Sequence, residues 1–148
     1  MGNLAKYTTL TLMPDDKLFC VVQKAFINKN GEVLVLFDPE LGLDFPGGKI
    51  QEGEFDFAES MKREVREETS LEIKIGDPFF SWYFKYPLGS RNYGKEVFLV
   101  GFKCQYVSGD VKLSSEHHDY KWVSNDNYRE LNDNSDYFRA LEKYLKNS

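Results

Sequence analysis

Three glutamates lie within five residues of one another near the middle of the chain, at Glu64, Glu67 and Glu68. A helix turns about 100° per residue, so these spacings place the three carboxylates on one helical face. Like charges at such positions repel by roughly 0.2–0.5 kcal/mol per pair, a cost that Arg63, Arg66 or a divalent cation could offset. This arrangement is typical of a site that holds a metal ion against a phosphate.

The same residues also fit an ordinary solvated helix face. Runs such as Arg66-Glu67-Glu68 are common on such faces, where exposed ion pairs contribute little energy. The preceding loop favours the metal site, because Gly47 and Gly48 allow close backbone approach and Pro46 fixes the entry to the turn. Loop and helix together indicate metal-assisted phosphoanhydride chemistry.

Spacing excludes two other phosphate-binding loops. A Walker A loop would need glycine at position 43 and serine or threonine at position 50, where the chain has Leu43 and Ile50. The segment also contains no G-x-G-x-x-G motif. The chemistry therefore depends on acids rather than on a lysine.

The segment resembles the signature of the Nudix hydrolases, G-x5-E-x7-R-E-U-x-E-E-x-G-U, where U is an aliphatic residue. The resemblance covers residues 48–71 and also includes the preceding Phe-Pro-Gly lead-in. Eight positions match, namely Gly48, Glu54, Arg63, Glu64, Val65, Glu67, Glu68 and Leu71. The resemblance implies a Nudix-type α/β/α sandwich with a mixed central β-sheet, and a pyrophosphohydrolase that acts on acid anhydrides.

The resemblance implies that Glu64, Glu67 and Glu68 coordinate Mg²⁺ or Mn²⁺, with Glu67 also acting in catalysis. The chemistry is consistent, since hard divalent cations take oxygen ligands and substrate phosphates complete the shell. Such a cation would neutralise charge on a diphosphate and lower the pKa of a bound water.

Further roles follow from the same resemblance. Arg63 would orient a glutamate through paired hydrogen bonds, because its planar fork meets a carboxylate at two points. Glu54 would be a further catalytic residue. We expect Gly47, Gly48 and Lys49 of the loop to bind substrate.

The chain departs from the signature twice. Eight residues, 55–62, separate Glu54 from Arg63 where the signature has seven. We expect the additional residue to lengthen the loop, because an insertion within the helix would rotate the partners of Glu54 by about 100°. Ser70 replaces the last glycine, so the helix exit either avoids the left-handed backbone or bears a modest strain.

A candidate general base lies far from the signature. Residues 116–122 resemble the segment E-H-x-x-x-x-W that many Nudix enzymes carry before their last core strand, which makes Glu116 a base or an additional ligand. His117 and His118 could be a metal pair, but adjacent strand residues point to opposite faces. Two surface histidines in a loop are the expectation.

The remaining elements are predicted from periodicity and turn residues. The spacing of Ala58, Met61 and Val65 gives the acidic helix a separate apolar stripe, and Asn28 to Gly31 is a hairpin signal. The predicted strands are residues 18–26, 32–37, 72–75, 79–86, 96–106 and 122–123, and an amphipathic helix is predicted over residues 136–145.

Composition indicates one domain over residues 1–148, since a chain of 148 residues with 41% hydrophobic content can bury a single core; the resemblance implies that it is a Nudix hydrolase domain. The start of the chain lacks a signal-peptide pattern, and Cys20 and Cys104 are expected to be reduced thiols in strands. We expect a cytoplasmic monomer or homodimer without a membrane partner. The net charge of −5 argues against stable nucleic-acid binding.

The substrate class is less constrained. Aromatic residues alternate over residues 79–86, so one set could stack on a base while most pack inward. Arg91 could bind phosphates beside the long turn at 87–94. We expect a small-molecule substrate, a nucleoside diphosphate linked to another group: a nucleoside triphosphate, an oxidised nucleotide, a dinucleoside polyphosphate or an ADP-ribose type.

Two other functions remain open for this chain. One is a catalytically silent nucleotide-sensing module on the same fold, although such a module would have no need of the metal cluster. The other is an isomerase of the isopentenyl-diphosphate type, which would require a reactive cysteine near the substrate.

Overall fold

The computed structural model describes residues 15–146. Within these residues, seven strands form one mixed sheet that is accompanied by two α-helices and a short 3₁₀-helix. The strands are β1 (Cys20–Lys29), β2 (Glu32–Asp38), β3 (Gly42–Asp44), β4 (Gly47–Lys49), β5 (Glu72–Lys85), β6 (Glu96–Ser108) and β7 (Asp119–Val123); the helices are α1 (Phe57–Thr69) and α2 (Asp136–Lys146), with the 3₁₀-helix at Tyr128–Leu131.

The sheet runs in the order β3-β2-β1-β6-β5, with β7 paired to β2 and β4 paired to β1. The central pair β1 and β6 is parallel, whereas the other pairs are antiparallel. Strand β1 changes partner along its length, since β4 pairs with it up to Lys24 and β2 pairs with it from Asn28. The backbone of Ala25 instead donates to the Pro46 carbonyl at 2.7 Å.

Alternate residues of the central strands pack on opposite faces, as expected for a sheet buried on both sides. On one face Ala25 and Ile27 belong to a core cluster with Met61 and Val65 of α1. On the other face Phe26 packs in a cluster with residues of α2, including Phe138, Leu141 and Leu145. The predicted α/β/α sandwich with a mixed central sheet is therefore confirmed.

The predicted hairpin is also confirmed. Asn30 and Gly31 both have positive φ, of 53° and 85°, as a tight two-residue turn between antiparallel strands requires. The predicted helix at 136–145 matches α2, and the strand predicted at 122–123 extends back to Asp119.

Two expectations about strands are wrong. Residues 72–75 and 79–86 form one edge strand rather than two, because the register shifts around Pro78 interrupt the ladder without ending it. Proline is tolerated at such a bulge on an edge strand. Strands β3 and β4 were not expected, since each is only three residues long and shows no apolar alternation.

Helix α1 accommodates both departures from the signature. It runs without interruption from the Asp56 cap, whose carboxylate accepts from the Glu59 amide at 3.1 Å. Its end lies at Ser70, which has a φ of 66° and donates its amide to the Arg66 carbonyl. The serine therefore adopts the left-handed backbone at some strain, since glycine is the residue that adopts this conformation cheaply.

We predict that Ser70→Gly raises the free energy of unfolding by about 0.5–1 kcal/mol, because it removes a side chain from a left-handed position. Ser81→Gly, the same change at an exposed strand residue, should lower it, since glycine weakens strand interiors. Urea denaturation of both variants measures the two effects. Destabilisation by Ser70→Gly would contradict the strain assigned to this residue.

Candidate metal centre and substrate pocket

A cavity of about 700 Å³ opens between α1, the β3–β4 segment, the turn after β5 and the start of α2. Acidic side chains line one part of it, from Asp44, Glu64, Glu68 and Glu116, together with His117. Lys49 and Arg91 also line the cavity. The sequence-distant segments that carry chemistry therefore meet in one place.

A chain of buried polar side chains forms the floor of this site. Lys24 Nζ lies 2.9 Å from Asp44 Oδ1 and donates to the Phe45 carbonyl at 3.1 Å. The other Asp44 oxygen lies 2.9 Å from His117 Nε2. Lys24 comes from β1 and Asp44 from the end of β3. Their ion pair therefore joins these two strands next to the point where β1 changes its partner strand from β4 to β2.

Burial and charge have opposite effects on the pKa values of Lys24 and Asp44. Burial alone would lower the pKa of Lys24, but attraction to Asp44, followed by Tyr137 and Glu68, raises it above its usual value. Burial would raise the pKa of Asp44, but Lys24 and the His117 hydrogen bond lower it below its usual value. Both groups are charged at neutral pH and neutralise each other.

Glu68 is the most deeply buried acid of α1, with 5% of its surface exposed. Burial raises the pKa of its carboxyl to about 8; Lys24 opposes this shift and Asp44 adds to it. Its Oε2 atom is buried and has no hydrogen-bond partner among residues 15–146. A buried carboxylate oxygen without a partner is a suitable ligand for a divalent cation, which would favour the ionised form.

Glu64 lies one turn before Glu68 on the same face of α1. The pKa of Glu64 lies above its usual value, chiefly because of burial. Arg63 opposes this shift, whereas Glu67 and Glu116 add to it. Its carboxylate lies against Gly48, where an added Cβ would approach Glu64 Cδ to 2.6 Å. Gly48 thus provides the space in which this acid sits.

The neighbouring glycine is required by the backbone itself. Gly47 has a φ of 142°, and a Cβ at this position would overlap the Gln23 carbonyl on β1. The loop therefore passes close against β1 because residue 47 has no side chain. Close approach of β4 to β1 in turn brings Lys49 into the cavity wall.

Glu67 lies apart from the other two acids of α1. Its side chain is 59% exposed and pairs with Arg63, whose Nη1 lies 3.2 and 3.3 Å from the two Glu67 oxygens. Arg63 Nη2 also donates to Glu54 Oε2 at 3.0 Å. The structure thus joins Arg63, Glu54 and Glu67 in one network at the outer side of the helix, and this network does not line the cavity.

The loop that carries Glu116 is held against the end of α1. The amide of Ser114 donates to the Glu68 carbonyl at 3.1 Å, and the amide of His118 donates to the Phe37 carbonyl at 3.2 Å. Ligand atoms of Glu68, Glu116 and His117 lie within 4.8 Å of one another and could hold a metal ion. Those of Asp38, Asp44 and His117 form a second such group.

The expectation of two surface histidines is wrong for His117. His118 is exposed, whereas His117 is 7% exposed and lies between Asp44 and Glu68. Burial lowers the pKa of His117, but the hydrogen bond and charge of Asp44, with a further contribution from Glu68, raise it above its usual value. The signal that could have identified the buried partners was Lys24, a lone lysine within the apolar run of β1.

Two cations of the cavity lining, Lys49 and Arg91, lie close to each other and to Lys95. The pKa of Lys49 is lowered below its usual value by the neighbouring Lys95 ammonium, by burial and by the charge of Arg91. Lys95 is held by backbone bonds, since its carbonyl accepts from the Tyr86 amide at 3.0 Å and its amide donates to Asn92. Three like charges in one region favour an anionic ligand.

The aromatic residues of β5 divide as expected. Most pack in the core, and Tyr83 is exposed. Phe84 and Tyr86 line the cavity with Tyr137 of α2, and the ring centroids of Phe84 and Tyr137 are 5.7 Å apart. These three rings supply an apolar surface suited to a planar group.

None of the helices in the described part of the chain is long and apolar enough to cross a bilayer. Both cysteines are free; Cys20 is half-buried in β1 and Cys104 is buried in β6. These positions agree with the prediction of reduced thiols in strands.

Comparisons with known proteins point in one direction. A family model described as "NUDIX domain" matches residues 19–144. The MutT protein from Methanosarcina mazei Go1 is similar in structure, with a TM-score of 0.71 and 32% identity over 89% of this chain and 96% of that one. A dihydroneopterin triphosphate pyrophosphohydrolase from E. coli shares the fold, with a TM-score of 0.69 and 20% identity over 89% of this chain and 100% of that one.

A curated relative is the nucleoside triphosphatase NudI of Escherichia coli O81 (strain ED1a). It is 29% identical over an alignment of 83 residues, and the alignment covers 52% of this chain and 57% of the relative. The match therefore spans little more than half the length of that protein.

We predict that Lys24→Met lowers the free energy of unfolding by about 3–5 kcal/mol, because it leaves Asp44 buried without its cation. Lys121→Met is the matched control; its ion pair with Glu130 is largely exposed and should contribute less than about 1 kcal/mol. Urea denaturation at pH 7 measures both variants. Equal losses would contradict the importance of the buried pair.

Because the pKa of Asp44 is lowered, the loss of stability caused by Lys24→Met should depend on pH. The stability contributed by the ionised Asp44 is present above its ordinary pKa of 3.8 and declines as pH falls through the lower folded value. The difference between wild type and Lys24→Met should therefore shrink in acid.

Proposed function

Since this chain belongs to the NUDIX domain family, we propose that it is a Mg²⁺- or Mn²⁺-dependent hydrolase of a nucleoside diphosphate linked to another group. The observation that carries this proposal is Glu68, which lines the cavity together with Lys49 and Arg91 and has a buried oxygen without a hydrogen-bond partner among residues 15–146. A site that combines a buried acid with nearby lysine and arginine side chains suits a cation bound to a phosphate chain.

We assign the metal to Glu64, Glu67 and Glu68. Glu64 and Glu68 line the cavity, whereas Glu67 pairs with Arg63 on the outer side of α1. When bound, the cation would neutralise charge on the diphosphate and lower the pKa of an attacking water. The raised pKa values of Glu64 and Glu68 mean that both acids gain from a nearby cation.

Arg63 positions the acids around it. Its two nitrogens bind Glu67 and Glu54 at the same time, and it lies 3.2 Å from Glu64 Oε1. Glu54 is held in addition by the Ser60 hydroxyl at 2.6 Å and the Gln51 amide at 2.9 Å. This network fixes carboxylates that would otherwise repel one another.

Glu116 is our candidate for the general base. It is exposed to the cavity, and its carboxylate belongs to the group that includes Glu68. An acid in this position can accept a proton from a water that is oriented between it and the substrate.

The substrate would place its phosphates between the acids and the cations Lys49 and Arg91, with the loop at Gly47 and Gly48 beside them. Phe84, Tyr86 and Tyr137 would accept the base. We favour a nucleoside triphosphate, because the curated relative NudI is a nucleoside triphosphatase. We still predict that the protein is cytoplasmic, that it is a monomer or a homodimer, and that it has no nucleic-acid or membrane partner.

The isomerase alternative would require a reactive cysteine beside the substrate. No cysteine is among the cavity-lining residues in the described part of the chain. Burial raises the pKa of Cys104 to about 12, so this thiol is not activated. A silent nucleotide-sensing module needs no reactive cysteine, so this argument does not apply to it. Measurement of substrate turnover distinguishes such a module from a hydrolase.

The function is tested with a panel of nucleoside triphosphates, oxidised nucleotides, ADP-ribose, dinucleoside polyphosphates and nucleotide sugars. Both products are quantified for each compound, with Mg²⁺ and with Mn²⁺. Binding of a nucleotide without turnover of any compound would support the sensing module and reject the hydrolase.

With the best substrate, we predict that Glu68→Gln and Glu67→Gln each reduce kcat at least about 100-fold, because each removes charge that holds the cation. Glu59→Gln changes an exposed acid on the same helix and should leave kcat within about twofold. Steady-state kinetics at saturating Mg²⁺ measure these rates. Normal turnover by both variants would reject the metal assignment.

We also predict that Glu116→Gln lowers kcat more than it raises KM, since a base acts chiefly in the transition state. Glu40→Gln is the control, an exposed acid that lines the same cavity outside the acid cluster. An unchanged kcat for Glu116→Gln would remove this residue from the chemistry.

A further inference from the structure

His117 and Glu68 present two buried, unpartnered atoms to each other. His117 Nδ1 and Glu68 Oε2 lie 3.7 Å apart, beyond hydrogen-bonding distance, and neither has a hydrogen-bond partner among the described residues. Leaving a buried polar atom without a partner is unfavourable, because the atom loses its hydrogen bonds to water and gains none in return. Two such atoms side by side indicate that something else occupies the space between them when the site is functional.

The surroundings of His117 determine which nitrogen is free. Nε2 lies 2.9 Å from Asp44 Oδ2, and Asp44 is an ionised acid held by Lys24. A carboxylate can only accept, so Nε2 carries the proton and donates it. In the neutral ring Nδ1 then carries the lone pair, and it is this lone pair that faces Glu68.

This arrangement is the one that metal-binding histidines use. Such a histidine donates its second N–H to a carboxylate, which fixes the ring orientation and increases the basicity of the ligating nitrogen. Asp44 has this role for His117, and Lys24 fixes Asp44 in turn. Glu116 supplies a further oxygen, since its carboxylate, Glu68 and His117 lie within 4.8 Å of one another.

We infer that His117 Nδ1 is a ligand of a divalent cation shared with Glu68 and Glu116, a mixed nitrogen–oxygen position. The inference rests on the proposed function, to which it adds a ligand and a metal preference. Mg²⁺ favours oxygen ligands, whereas imidazole suits first-row transition metals. The protein should therefore prefer Mn²⁺ and, more strongly, Co²⁺ to Mg²⁺ at this position.

The sharpest test uses the fact that the chain contains two histidines. A tag-free His118→Gln protein retains His117 as its single histidine, and His118 is exposed, so the change should preserve the fold. Pulsed electron paramagnetic resonance of its Mn²⁺ complex is expected to show coupling to an imidazole nitrogen. A bound Mn²⁺ without this coupling, or no bound Mn²⁺, overturns the inference.

Calorimetric titration gives an independent measure. His117→Gln should weaken Co²⁺ binding at least about tenfold and change Mg²⁺ binding far less, since glutamine offers an oxygen to either cation. His118→Gln should change neither affinity. Unaltered Co²⁺ binding by a folded His117→Gln protein, as judged by circular dichroism, would also overturn the inference.

Hydrolysis is measured separately from these two readouts. Nitrogen coupling without turnover of any compound would reject the proposed hydrolase and keep the metal ligand. Turnover with Mg²⁺ but without nitrogen coupling would reject His117 as a ligand and keep the hydrolase.

Discussion

The buried ion pair between Lys24 and Asp44 is the interaction on which the site depends. It lies where β1 exchanges β4 for β2, so it joins the strands at a place where the ladder itself is interrupted. Removing two charges from water is expensive, and the pair is tolerable because both partners make further bonds, Lys24 to the Phe45 carbonyl and Asp44 to His117. A hydrophobic pair could fill the same space, but it could not hold a histidine in a fixed orientation.

The acids of α1 show the opposite balance. The pKa of Glu68 is about 8, raised first by burial, so its ionised form at neutral pH is unfavourable without a cation. Helix α1 is nevertheless stable, because Met61 and Val65 pack on the sheet and Asp56 caps its start. Packing and capping thus hold the carboxylates in place. A bound cation would relieve the unfavourable burial of their charge.

Local features of the sequence were sufficient to predict the acidic helix, the Asn30-Gly31 hairpin and α2, since helical phase and turn chemistry involve only nearby residues. Strands β3 and β4 could not be predicted in this way, because β2 and β1 supply the partners that make them strands. The burial of His117 depends on Asp44, 73 residues away. Glu67 pairs with Arg63, the arginine that was expected to orient a glutamate, and this contact needs only residues one turn apart on α1.

The charge layout also explains how an acidic chain can accept an anionic ligand. A free phosphate chain entering the cavity would meet Glu64, Glu68 and Glu116, and the attraction of Lys49, Lys95 and Arg91 would be opposed by these carboxylates. A divalent cation held by these acids would offset two of their charges and would itself bind phosphate oxygens, so the repulsion would be much weaker. Binding of cation and phosphate must therefore be mutually favourable, since each improves the affinity for the other by the same factor. Such coupling discriminates against anions that arrive without a metal, which a uniformly basic pocket would bind.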